Sequence, residues 1–151
     1  MKFAQGVAAG LAGLSMIVAA PAMAGSMSQA EKLRRLDIML MVTGLRCRTG
    51  ADNFQADYGR FTTNHLGELN AASNALKAEM GGSGRGADRA LDKLSVTMAN
   101  TYGQGHPWLD CHQLKQVTRG LADARGSAPL VEAADQLLEA RGTPQFAWLR
   151  R

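Results

Sequence analysis

The apolar positions of this chain recur at spacings of three and four over most of its length, and they show no sustained alternation in twos. Residues three and four apart share one face of a helix, so this period predicts helices and not strands. The segment 27–48, MSQAEKLRRLDIMLMVTGLRCR, opens with Ser28 as a helix cap and Glu31 three residues later, a capping-box pair. Leu33, Leu36, Leu40 and Cys47 fall on one face, which Met39, Val42 and Leu45 broaden. The run IMLMV at 38–42 is apolar on most sides and predicts the most buried helix of the set. Thr49 and Gly50 end it.

Over 52–80, the positions Phe54, Tyr58, Phe61, His65, Leu69, Ala72, Leu76 and Met80 predict one long amphipathic helix. Gly59 and Gly67 weaken it by about 1 kcal/mol each relative to Ala where exposed. GGSGRG at 81–86 reads as a connection between helices, because no strand precedes it and it matches neither glycine-rich phosphate-binding fingerprint. A helix over 87–102 follows on Leu91, Leu94, Met98 and Tyr102. Another spans about 108–125, with Cys111, Leu114, Val117 or Thr118, and Leu121 inward, and a last one lies near 128–141 with Pro129 in its first turn. The expected fold class is all-α, an antiparallel bundle of four to five helices with one disulfide.

The first 24 residues follow a different pattern. Lys2 precedes a nearly unbroken run of Ala, Gly, Val, Leu, Met and Ile at 7–20, Pro21 breaks it, and Ala22 and Ala24 form an A-x-A site. That is the layout of a secretory signal peptide cleaved after Ala24. A membrane anchor would need about 20 strongly apolar residues, and this run is shorter and rich in Ala and Gly. Cleavage leaves a single domain, 25–151, with no transmembrane anchor and a periplasmic or secreted location. Without Lys2, 16 Lys and Arg stand against 13 Asp and Glu, a net charge near +3. So small an excess in an exported chain argues against nucleic acid as a partner and leaves anionic lipid or cell-wall polymer open.

Two cysteines are present, Cys47 and Cys111. In an oxidising compartment an even count points to a bridge, here closing a loop of about 64 residues. The alternative is a reactive thiol or metal ligand, with Arg46 and Arg48 lowering the pKa of Cys47. No CxxC motif supports it.

The densest cluster of chemically capable side chains is YGQGHPWLDCH, residues 102–112. Gly103 and Gly105 suit a helix end, and Pro107 suits the start of the next helix, which together mark a corner stapled by Cys111. His106, Asp110 and His112 are also capable metal ligands, with His65 brought in by the fold. However, no HExxH, CxxCH or Glu-x-x-His pattern is present. The candidate pocket is Arg60, Asn64, His65, His106, Trp108 and His112. No catalytic residue, metal set or cofactor site is assigned, since no serine has a nucleophile-elbow context and no carboxylate a motif-defined partner.

The blocks KLRRLDIMLMVTGLRCR, DNFQADYGRFTTNHLGELN and SVTMANTYGQGHPWLDCHQLK together resemble a family of short exported proteins of Gram-negative bacteria. The resemblance covers roughly residues 31–125, both cysteines included. Members of that family often carry the label S-adenosyl-L-homocysteine hydrolase. The enzymes of that name are built on a dinucleotide-binding domain holding NAD, and neither the βαβ pattern nor its fingerprint occurs here. The resemblance therefore implies a compartment and a scaffold, and it transfers no catalytic residue. The expected role is binding, as an accessory protein of the cell envelope whose partner is another envelope protein or a cell-wall polymer. Arg34, Arg35, Phe146, Trp148 and Arg150 are the expected contact surface, with Lys32, Arg46 and Arg48 nearby in sequence. The alternative is a small enzyme, or a metal or ligand carrier, using His65, His106 and His112.

Overall fold

The computed structural model describes residues 27–138, and every regular element among them is a helix. The helices are α1 (Gln29–Arg46), α2 (Gln55–Asn64), α3 (Leu66–Glu79), α4 (Arg85–Tyr102), α5 (Cys111–Asp123) and α6 (Ala128–Leu138). The all-α class is as expected, with six helices in place of four to five. The difference arises at His65, where the run expected as one helix breaks into α2 and α3. Just before the break, the hydroxyls of Thr62 and Thr63 both donate to the Gly59 carbonyl, at 3.0 and 2.9 Å. Such back-bonding competes with the backbone ladder and bends helices. The apolar stripe runs through the bend unbroken, with Phe61 and His65 both buried and Leu69 half-buried, which is why periodicity alone does not reveal it.

As expected for its apolar run, α1 is the central helix and packs against each of the other five. Leu36, Met39 and Leu40 are wholly buried. Leu45 and Met41 instead face outward, Leu45 being 47% exposed, so the apolar face is narrower than expected at this end. The Ser28 side chain caps α1 by accepting from the Glu31 backbone N–H at 3.1 Å. The reciprocal half of the capping box is missing, because the Glu31 carboxylate pairs with Arg35 at 2.7 Å.

Side-chain ties give the order of the chain. Ser28 meets Glu79 and Asp37 meets Tyr58, so the α2–α3 rod runs antiparallel to α1. Arg34 meets Ser95 and Arg46 meets Gly103, so α4 runs with α1. Asp57 meets Arg119 and Arg60 meets Asp123, so α5 runs with α2. Successive rods thus reverse, and α6 returns onto α1, where Lys32 pairs with Asp135. The core gathers Phe54, Phe61, Leu36, Leu40, Leu114, Leu121, Leu130 and Leu137. Gly44 lets α1 approach the Phe54 ring closely, since a Cβ there would lie 3.3 Å from it.

Cys47, the residue capping the end of α1, is bonded to Cys111, the first residue of α5, with an S–S distance of 2.02 Å. The bridge therefore pins two helix ends, as the sequence predicts. The connection after Met80 reverses the chain through Gly81, Gly82 and Gly84, all at positive φ, before α4 begins at Arg85.

Candidate functional site

Within the corner 102–112, residues 103–110 are irregular backbone between α4 and α5. Gly105 takes a φ of +109°, which turns the chain against the Arg46 side chain. Pro107 does not open a helix. α5 starts at Cys111, later than expected, because Asp110 forms a full capping box with Gln113.

His106 is buried at this corner with both ring nitrogens committed. Its Nδ1 accepts from the backbone N–H groups of Trp108 and Leu109, at 3.4 and 3.2 Å. Two donors aimed at Nδ1 place the proton on Nε2, which donates to the Leu137 carbonyl at 3.0 Å. That carbonyl belongs to α6. Tyr102 stacks on the imidazole at 6.0 Å between ring centroids, and Trp108 meets it edge-on at 4.6 Å. His106 thus locks a corner to another helix, and both ring nitrogens are engaged by backbone groups.

Burial holds His106 below its ordinary pKa of 6.5, partly opposed by the Leu137 carbonyl. The unfolded chain therefore takes up this proton at higher pH than the folded one, so stability is constant well above pH 6.5 and falls as pH drops below it. Asp37 works in the opposite sense, because burial, against the Tyr58 hydrogen bond and the Arg34 charge, raises its pKa above 3.8. Urea unfolding of the parent and of His106→Gln over this range separates the two contributions. The parent should lose stability relative to the variant as pH falls, and parallel curves would contradict this account.

Arg60, Asn64 and His65 do come together, at the C-terminal end of α5. His65 Nε2 donates to the Leu121 carbonyl at 2.8 Å and Asn64 Nδ2 to the Ala122 carbonyl at 2.8 Å. Arg60 pairs with Asp123 and with Asp57. Two side chains from the bend between α2 and α3 thus satisfy carbonyls of the last turn of α5. Beside them lies a polar cleft of about 430 Å³ lined by Asn64, His65, Glu68, Asp123 and Arg125 with adjoining backbone. His65 Nδ1 is buried with no hydrogen-bond partner among the described residues.

His112 lies apart from both. Its Nδ1 contacts Asp52 at 3.1 Å and its Nε2 contacts the Gln116 amide at 2.9 Å, on the exposed side of α5. The three histidines occupy separate places, and no group of three or more His, Cys, Asp or Glu side chains suited to a metal ion occurs among the described residues. Of the expected contact surface, Arg34 is tied to Asp37 and Ser95, and Arg35 to Glu31. Phe146, Trp148 and Arg150 lie outside the described residues.

One polar cluster escapes the sequence reading. Tyr58 donates to Asp37 at 2.8 Å, and Arg34 reaches from the other side of the same carboxylate. Burial first, then the Asp37 charge, raises the Tyr58 pKa, so the phenol remains protonated as the donor. The available signal was an aspartate directly preceding the apolar run of 38–42, where a charge needs a partner.

No family model, curated protein or solved structure matches this chain.

Proposed function

We propose that this is an exported helical bundle of the bacterial cell envelope that acts by binding, as an accessory or interaction protein in the periplasm. The observation that carries the reading is the Cys47–Cys111 bridge joining α1 to α5. A cystine of this kind persists in an oxidising compartment, in keeping with the leader-like first 24 residues. The resemblance of three sequence blocks to short exported proteins of Gram-negative bacteria supports the same compartment. A binding role is supported by how two of the histidines are used, since His106 is spent on backbone partners and His112 is engaged by Asp52 and Gln116 on the surface.

Native mass spectrometry of the chain recovered from the periplasm tests this reading. The expected species begins at Gly25 and is two hydrogens lighter than the reduced chain. An uncleaved chain, or one with two free thiols, would overturn it. The cleft beside His65 supports a second reading, carriage of a small polar ligand, because its lining mixes Glu68 and Asp123 with Arg125. A reproducible extra mass, lost in a variant with Glu68→Ala, would favour the carrier.

A further inference from the structure

α4 turns Ala87, Leu91, Met98 and Tyr102 inward, and its principal packing partners are α1 and α3. Its outer side carries Arg85, Arg89, Lys93 and Val96, all exposed, with Val96 at 60%. At helical spacing these four lie within an arc of about 80°, roughly opposite the buried face, and the cations extend along about 12 Å of axis. None of the three cations is in an ion pair among the described residues. Lys32, Arg34, Arg35, Arg60, Lys77 and Arg119 each have a carboxylate partner. Arg46, Arg48 and Lys115 have none among the described residues and bond backbone carbonyls instead. Arg125 stands singly, so the α4 cations are distinguished by forming a row on one helix face.

The contrast is informative because like charges four residues apart destabilise a helix. Arg85 with Arg89, and Arg89 with Lys93, are two such pairs in succession. Elsewhere such spacings join opposite charges in Glu31 with Arg35, four apart, and in Asp57 with Arg60, three apart, while Lys115 with Arg119 on α5 is a single like pair and not a row. The helix also starts at Gly84 with no side-chain cap, leaving the positive end of its dipole beside Arg85. Asp88 is engaged by Lys77, and Asp92, next to the row, leaves a net excess of positive charge.

We propose that the outer face of α4, through Arg85, Arg89 and Lys93, docks this protein on an anionic phospholipid surface. A row of cations on the convex crest of a helix meets a plane of headgroups along its whole length, whereas a folded partner needs a matching groove. Val96 continues the row and adds one apolar contact at the same level. Access to such a surface rests on the envelope location proposed above, and this inference names the partner there.

The test is sedimentation of the disulfide-bonded chain with vesicles of phosphatidylcholine containing about one-third phosphatidylglycerol, beside vesicles of phosphatidylcholine alone. Each Lys or Arg at an anionic surface raises partitioning about fivefold, so Arg85→Gln with Arg89→Gln and Lys93→Gln should lower it about 100-fold. Ionic strength near 0.5 M should abolish the parent's binding. A control of equal net charge, Arg48→Gln with Lys115→Gln and Arg119→Gln, should bind within about threefold of the parent. Circular dichroism and an intact bridge confirm that both variants fold. Equal loss in the control, unchanged binding in the α4 variant, or no preference for the anionic vesicles overturns the proposal. Failure here with export upheld by mass spectrometry removes the α4 surface alone, whereas an uncleaved or reduced chain removes the envelope reading itself.

Discussion

Reduction of the Cys47–Cys111 bond, or its removal by paired serine substitutions, should lower the stability of the bundle by about 4 kcal/mol. The figure follows from the loop that the bond closes, whose ends are 64 residues apart in sequence. In the chain-entropy model a loop of that size restricts the unfolded chain by about 4 kcal/mol. The loop contains α2, α3 and α4 whole, so the bond constrains most of the unfolded ensemble. A domain of this length is stable by roughly 5–15 kcal/mol, which makes the bond a large fraction of the whole. Urea unfolding of oxidised and reduced protein gives the difference directly. The ties near the bridge, Lys115 to the Ala51 carbonyl and His112 to Asp52, are exposed and add little once the bond is gone. A loss below about 1 kcal/mol would mean that burial alone holds the ends of α1 and α5 together.

Helix α1 and the apolar faces of α3 to α6 are legible because burial of one face imposes a period of three to four on the sequence. Leu36, Leu91, Leu114 and Leu137 are all buried where that period puts them. Local polar chemistry shifts the ends. α5 begins at Cys111 because of the Asp110–Gln113 capping box, while the Pro107 signal points to an earlier start. The bend at His65 is illegible for a different reason. It preserves the stripe, and the groups that accompany it, Gly59 within α2 and the carbonyls of Leu121 and Ala122, are a matter of hydroxyl rotamers and of contacts over 50 residues away. Pairing of the cysteines was legible from their even count beside a leader-like first segment, which together point to a bridge. Separation of the three histidines was not, because residues 65, 106 and 112 meet or diverge only once the helices are arranged.

His65 shows how much a buried polar side chain contributes when it serves two helices. It is 1% exposed, its ring packs on Phe61 at 5.3 Å between centroids, and its Nε2 holds the Leu121 carbonyl. His65→Ala removes both the ring and the donor, and should lower stability by about 3–4 kcal/mol, from a cavity of the kind left by large-to-small substitution and a lost hydrogen bond. His65→Phe keeps a ring of similar size and loses the donor, so it isolates the unpaired carbonyl at about 1–3 kcal/mol. His65→Gln offers an amide donor and should retain more stability than His65→Ala. The order of midpoints in urea is therefore parent first and alanine last, with phenylalanine between them. Equal loss in the phenylalanine and alanine variants would assign the whole effect to the hydrogen bond and none to packing. A phenylalanine variant as stable as the parent would mean that the end of α5 finds another donor, for which Asn64, already bonded to the adjacent Ala122 carbonyl, is the nearest in sequence.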